Sequence, residues 1–317
     1  MSADHDPKTL ADFLLINGAG LADLDVSDVL NDSPVIRQAY AQGSSNGTVH
    51  RYLKEVAAPV VGFRAANAGR DHSKSEDEQV NITLEILDAA YHVDKMLADS
   101  YPKGGAEAFL AKESARHLRA GFFAFERQVF QGQALDAGGF PGLPDADGLK
   151  YLADAMVIGA GGSAALSSVW AIRMTPKFDD FSLVMANDGE INIEEAFVQL
   201  IEDGDGKYFP AYVQPIDGWT AIQIGSAYSV GRLANLGTAD GTTLTDELLA
   251  QLYDAFPSGR PPTHLVMTRR SRGQLRDSRR TDLVREVPTP TNWENIPIIV
   301  TDAVSNNETV VGAAAST

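Results

Sequence analysis

Apolar and polar residues alternate from Val80 onward, with Val80, Ile82, Leu84 and Ile86 separated by Asn81, Thr83 and Glu85. That period of two marks a half-buried strand. An earlier run, Thr48 to Phe63, suits a second extended strand, and the two runs are expected to pair as an antiparallel ribbon. Between them lie fifteen residues, Arg64 to Glu78, with three alanines and no larger apolar side chain. Structureless loops of that length are uncommon inside compact domains and are usually functional or disordered. The period then changes. Leu118, Phe122, Phe125 and Val129 recur at steps of four, three and four, marking one face of a helix over Lys103 to Gln131. Pro102 and Gly132 stand where helix boundaries favour them. At about 1.5 Å per residue such a helix spans ~43 Å. A ribbon reaching into solvent buries nothing in its own subunit, so the ribbon and the stiff helix together suit a protein that grips its neighbours.

Upstream, residues 1–32 carry seven aspartates and one lysine, with Leu10, Phe13, Leu14, Leu15 and Ile16 among them, and Asp28 to Arg37 reads as a short capped helix. This stretch resembles an arm more than a domain. After a Gly/Pro/Asp-rich stretch from Gly138 to Gly148 the chain turns strand-rich, with strands expected at Ser168 to Met174, Phe181 to Met185, Glu190 to Ile193 and within Tyr208 to Leu236. The turn Asp203 to Lys207 (DGDGK) joins two of these as a hairpin. A helix over Leu244 to Phe256 opens behind Thr243 or Thr245 as cap. A strand at His264 to Met267, an Arg-rich helix at Arg269 to Arg280 and a strand at Pro297 to Thr301 complete an α+β chain without internal repeats.

With 317 residues, 44% of them apolar, the chain can bury a real core. Its net charge of -17 repels phosphate and argues against general nucleic-acid binding driven by counterion release. The absence of cysteine excludes disulfides, thiolate nucleophiles and cysteine-bound metal. The opening MSADHDPKTL has neither a basic nor an apolar leader segment, so no secretion signal is expected. Ala155 to Ile172 is uncharged, but six of its residues are Gly or Ser, which does not suit a membrane span.

The best enzyme lead is VIGAGGSAAL, where Gly159, Gly161 and Ala164 fit G-x-G-x-x-A and Asp179 and Asp180 follow at the distance of a ribose-binding acid. The context argues against it, because Ser167 to Met174 reads as a strand where a phosphate-binding helix is needed; a glycine-rich turn between strands is expected instead. Asp203, Asp205 and Lys207 suggest a calcium loop, yet lysine occupies a ligand position and Gln214 stands where glutamate is required. The six histidines show no metal-binding spacing, and neither a G-x-S-x-G elbow nor a Walker loop is present. No cofactor and no catalysis are expected. The arginines at 269, 270, 272, 276, 279, 280 and 285 are the one basic concentration, suited to pairing with carboxylates of another copy or to forming a solvated helix face.

The segment GFRAANAGRDHSKSEDEQVNITLEILDAAYHVDK strongly resembles the extended loop of tailed-bacteriophage major capsid proteins, with its R-x-x-N-x-G-x-x-x-SKS-x-x-x-QV order. The long helix, the GLK run at Gly148, SSVWAIRM, DGDGKYFPAYVQPIDGW, RLANL, HLVMTRRSRGQL and NIPIIVTDAV follow in that family's order, so the likeness covers roughly residues 10–311. The chain is identified as similar to a major capsid protein of the Hong Kong 97-like fold. That resemblance implies an N-terminal arm at 1–46, an extended loop at 47–96, a spine helix with the first part of a peripheral domain at 97–154, the first part of an axial domain at 155–185, peripheral long strands at 186–238 and a second axial part at 239–317. Two departures stand out. The strands from Gly189 to Leu236 precede the axial helix, and the chain begins directly with its arm, which implies a separate scaffolding protein or one already removed.

The resemblance further implies a structural protein that self-assembles through hexameric and pentameric capsomers into an icosahedral shell around double-stranded DNA, without sequence-specific contact to that DNA. Implied partners are a scaffolding protein, a portal protein and a decoration protein, with no membrane. The implied location is the virion capsid, assembled in the host bacterial cytoplasm. A cellular encapsulating compartment of the same fold is the alternative. Candidate inter-subunit contacts are Arg64, Asn67, Arg70, Lys74 and Glu76 in the loop and Arg269, Arg270 and Arg272 in the Arg-rich helix. Some members of the family weld the loop to a neighbour through a lysine-asparagine bond; Lys54 and Lys74 are the loop lysines, and no partner asparagine is assigned.

Overall fold

The computed structural model describes residues 15–17, 29–57, 59–70, 73–145, 156–176, 179–186, 189–280 and 287–311. Of the sequence-based expectations, Leu10, Phe13, Leu14, Asp28 at the start of the expected Asp28 to Arg37 helix, the GLK run at Gly148 and Arg285 lie outside these residues. The chain is α+β. In order it forms β1 (Leu15–Asn17), a 3-10 turn (Leu30–Asp32), α1 (Pro34–Gln38), β2 (Ala41–Gly43), β3 (Val49–Ala57), β4 (Glu76–Thr83), β5 (Glu85–Asp88), β6 (Tyr91–Asp94), α2 (Lys95–Asp99) and the long α3 (Gly105–Gln131). Then come β7 (Val157–Gly159), β8 (Ser167–Ile172), β9 (Phe181–Met185), β10 (Glu190–Ile193), β11 (Phe197–Glu202), β12 (Tyr208–Gln214), β13 (Ile216–Ile224) and β14 (Val230–Leu236). Last are α4 (Asp246–Asp254), β15 (His264–Met267), α5 (Arg269–Ser278), β16 (Asn292–Trp293) and β17 (Ile296–Val300).

The spine helix α3 is 27 residues long, and Leu118, Phe122, Phe125 and Val129 are all buried, as their spacing predicts. It ends at Gly132, whose φ of 62° lets the chain leave the helix at a backbone angle that L side chains resist. Its apolar face packs on a six-stranded sheet of order β1-β10-β13-β9-β2, with β5 also paired to β13. Ile191, Ile193, Leu183 and Ile222 from that sheet join the spine residues in one core.

A second six-stranded sheet has the order β16-β17-β15-β8-β14-β7 and is covered on both faces. Every residue of β8 is buried for that reason. Trp170 and Ile172 point into the core shared with the spine, while Val169 and Ala171 alternate to the other side, against Leu249 and Leu252 of α4 and Leu275 of α5. α4 and α5 each start behind a threonine cap. Thr245 accepts the amide of Leu248 at 3.3 Å, and Thr268 accepts that of Ser271 at 3.1 Å. Both β9, bonded to β13, and β8, bonded to β14, pair across the expected 185/186 border.

Two local readings change. Leu84 is buried as expected, but Ile86 is exposed and Leu87 turns inward instead, because the chain leaves β4 at Thr83 and re-enters a different sheet as β5, which reverses the facing. The glycine-rich segment is a connection between strands. β7 runs parallel to β14 and β8 antiparallel to it, and a Cβ on Gly162 would stand 2.5 Å from the carbonyl oxygen of Asn235. Those glycines let two backbones approach. No helix follows Gly161, and Asp180 is already bonded to Arg173, Thr175 and Ser229, so the dinucleotide reading of Gly159–Ala164 is dropped.

Candidate assembly interface

The ribbon forms as the alternation predicts. β3 and β4 pair antiparallel from Val49↔Thr83 to Ala57↔Glu76, with an irregularity after Glu55. It is fastened to the body from His50 as far as Glu55, close to where it opens. The amide of Glu55 donates to the carbonyl of Gly225 at 3.0 Å, the amide of Ala227 donates to that of Glu55 at 3.2 Å, and Arg260 pairs with the Glu55 carboxylate. His50 Nδ1 accepts the amide of Ser45 at 3.1 Å, leaving Nε2–H to donate to Gln223 Oε1. Burial lowers the pKa of His50, which favours this neutral form. Lys54 is buried within the ribbon, whereas Lys74 is exposed.

Beyond Ala57 the ribbon opens into a tip whose residues 59–69 are all exposed. Val60, Val61 and Phe63 are 68%, 85% and 105% exposed, an arrangement with no benefit to an isolated chain. The tip is held by small contacts. Ser73 Oγ accepts the amide of Val60 at 2.6 Å, Arg64 donates to the carbonyl of Ala68 at 3.2 Å, and the Arg70 guanidinium lies against Gly62. Asn67 turns the chain with φ at 63°, an angle that asparagine tolerates better than most residues. The structure therefore gathers Arg64, Asn67 and Arg70 at one tip and sets Lys74 and Glu76, both exposed, on the returning side.

The arginines of α5, with Arg279 and Arg280 just after it, are a separate group and do not act alike. Arg269 pairs with Asp302, Arg276 and Arg280 with Asp277, and Arg279 forks onto Asp246, which also accepts Trp293 Nε1–H at 3.0 Å. Arg270 donates to the carbonyl of Ala165 at 2.7 Å, and its Nε is buried without a partner. Among the described residues only the side chain of Arg272 in this helix engages no hydrogen bond or ion pair, which leaves it as the cation available to another molecule.

Sequence reasoning missed a second surface. The hairpin β11–β12 belongs to a three-stranded sheet of order β11-β12-β6, and edge strand β11 is exposed on both faces, with Phe197, Val198 and Leu200 in solvent. Tyr208, and Met96 and Leu97 of α2, are exposed as well. The run FVQLI, apolar at both parities, was the available signal, because a strand with one buried face alternates. The DGDGK tip is an Asx turn in which Asp203 Oδ1 accepts the amides of Asp205 and Lys207, as a plain hairpin requires.

Compared with known proteins, the family model of major capsid protein GP7 matches residues 20–312. The chain belongs to that family. Among solved structures, this capsid protein is similar to that of bacteriophage Epsilon15, at 18% identity and a TM-score of 0.58, covering 86% of this chain and 88% of that one. At that identity the likeness speaks for the fold. The bacteriophage JBD30 procapsid follows at 12% identity and TM-score 0.43 (83% and 89% covered), and the SrpI encapsulin complex from Synechococcus elongatus PCC 7942 at 7% and 0.40 (65% and 88% covered). Neither of the last two superposes closely enough to carry an argument. No curated protein matches. Among the described residues no helix of this capsid protein is long and apolar enough to cross a membrane.

Proposed function

We propose that this capsid protein assembles with copies of itself, through hexameric and pentameric capsomers, into a closed icosahedral shell that encloses double-stranded DNA. The observation that carries the reading is the tip at 59–70, where Val60, Val61 and Phe63 stand in solvent beyond a ribbon that is itself fastened to the body. A side chain of this kind gains ~1.5–3 kcal/mol when fully buried, so a neighbour that covers the tip supplies what the subunit lacks. One chain type closes a shell only through heterologous contacts whose rotations close. Several modest contacts per subunit then hold together far better than any one alone.

In this reading the arm at 1–46 reaches a second neighbour, the spine α3 sets the distance between contacts, and the sheet containing β8, β14 and β15 with α4 and α5 forms the axial part. The net charge of -17 disfavours tight contact with DNA, which is enclosed without sequence readout. A scaffolding protein, a portal protein and a decoration protein complete the particle, which assembles in the host bacterial cytoplasm and ends as the virion capsid. Light scattering on the concentrated chain tests self-assembly. Megadalton particles are expected, and a chain that stays at monomer mass overturns the reading. Nucleic acid recovered from particles inside cells separates a phage shell from a cellular compartment, which holds protein cargo instead.

Arg272 gives a more local test. Arg272→Glu is expected to weaken contacts between subunits by about tenfold at low salt, with the deficit shrinking as salt screens the new repulsion, while the monomer's melting temperature is unchanged. Assembly at the normal rate and salt dependence would show that this arginine is merely solvated.

A further inference from the structure

Glu126 lies in the apolar stripe of α3, one residue after Phe125 and four after Phe122, and it has no solvent exposure. One carboxylate oxygen accepts the amides of Val35 at 2.9 Å and Ile36 at 3.1 Å, both in the first turn of α1. The other meets the hydroxyl of Thr301, the residue after β17. A single carboxyl thus joins three segments that are far apart in sequence. It also does work that α1 cannot do for itself. Ser33 occupies the N-cap of α1 but makes no capping bond, and its hydroxyl is buried without a partner. Glu126 supplies the missing cap from another helix.

Among the described residues no charged group compensates it. From the segments packed around it, Arg37 bonds Asn31, Asp32 pairs with Arg119 at 3.6 Å, Arg116 with Glu113, and Arg269 with Asp302. Arg127, next to it on the spine, makes no ion pair with it among the described residues.

We propose that Glu126 is a proton-operated clasp, fastening residues 29–39 to the spine and the closing strand as the neutral acid and loosening them when the proton leaves. As the acid, Oε2 still accepts both amides while Oε1–H donates to Thr301 Oγ1, so the three contacts persist without a buried charge. Burial pushes the carboxyl from 4.5 up to about 7, and the hydrogen bonds from Thr301, Ile36 and Val35 oppose that shift without cancelling it. The folded junction therefore binds more protons than the unfolded one between those values. Its contribution to stability is complete below about 4.5 and is lost as pH rises to about 7, then stays level. This inference is read within one chain and does not rest on assembly.

Hydrogen exchange of the full chain, followed by mass spectrometry on peptides covering residues 33–39 and corrected for intrinsic exchange, tests it. Protection in the wild type is expected to fall about tenfold per pH unit from pH 5 to 7 and to level off above. Glu126→Gln keeps the shape and the acceptor but carries no titrating proton, so its protection stays flat. Thr301→Val removes a donor that favours the ionised form and moves the levelling to higher pH. Flat protection in the wild type, or an equal slope in Glu126→Gln, overturns the clasp. Should Glu126→Gln not fold, an unshifted profile in Thr301→Val overturns it equally.

Discussion

Replacing residues 58–75 with an Asn-Gly pair is expected to give a folded, soluble subunit that no longer forms closed shells. The subunit survives because the tip contributes almost nothing to it. Residues 59–69 are exposed, and the contacts of Ser73, Arg64 and Arg70 stay within the tip. Asn-Gly closes β3 onto β4 with a turn that matches the strand twist. Shortening the loop also lowers its closure entropy slightly, so the urea midpoint should be unchanged or a little higher. Assembly fails for the converse reason. Val60, Val61 and Phe63 together can gain ~5–9 kcal/mol if a neighbour buries them fully. Even half of that corresponds to roughly a hundredfold or more in each contact. A shell multiplies such losses across every subunit. Electron micrographs showing normal shells from this variant would rule out the tip as the clasp between subunits, whereas an unfolded product would mean that the tip has a partner at home.

How far the chain could be read without its structure depended on whether partners were local. α3 was legible because its packing face repeats at helical spacing, and the β3–β4 pairing because the run from Val80 alternates and the run from Thr48 suits an extended strand, although β3 itself does not alternate. The reversal at Ile86 was not, since a strand that changes sheets keeps its composition while its facing flips. The arginines show the same limit. Arg279 finds Asp246 and Arg269 finds Asp302, each 33 residues away, and no spacing in a single sequence announces such pairs. Of the three contact residues expected in the Arg-rich helix, Arg269 and Arg270 bond within the chain and Arg272 does not. Glu126 could have been found. It completes an i, i+4 step with Phe122 inside the apolar stripe, where a carboxylate is out of place unless it is bonded.

The same tension between charge and burial sets the expectation for the chain's last described segment. Arg232 of β14 is buried, its Nε donates to Ser168 Oγ at 3.0 Å, and Nη2 meets Glu308 Oε2 at 2.8 Å. The guanidinium lies 4.8 Å from the centre of the Trp170 ring. Around it the tail is laced to the sheet. Ser167 Oγ donates to the carbonyl of Ser305 at 2.9 Å, and Asn235 exchanges bonds with Val311 at 2.7 and 2.9 Å. Glu308→Ala leaves the guanidinium with the hydroxyl and the ring but no counter-charge, and is expected to destabilise the subunit by about 3 kcal/mol. Adding Arg232→Met removes the stranded charge. The double variant should recover to within about 1–2 kcal/mol of the wild type, because an apolar replacement of a buried ion pair is often near neutral. The resulting coupling of a few kcal/mol is measurable by urea denaturation of the unassembled subunit across the full cycle. A Glu308→Ala cost below about 0.5 kcal/mol would show that the tail is not docked on the sheet in solution. If the coupling appears as expected, the pair's value lies chiefly in setting where the tail lies: the apolar variant matches its stability while losing the directional bonds that hold Glu308 beside Ser168 and Arg232.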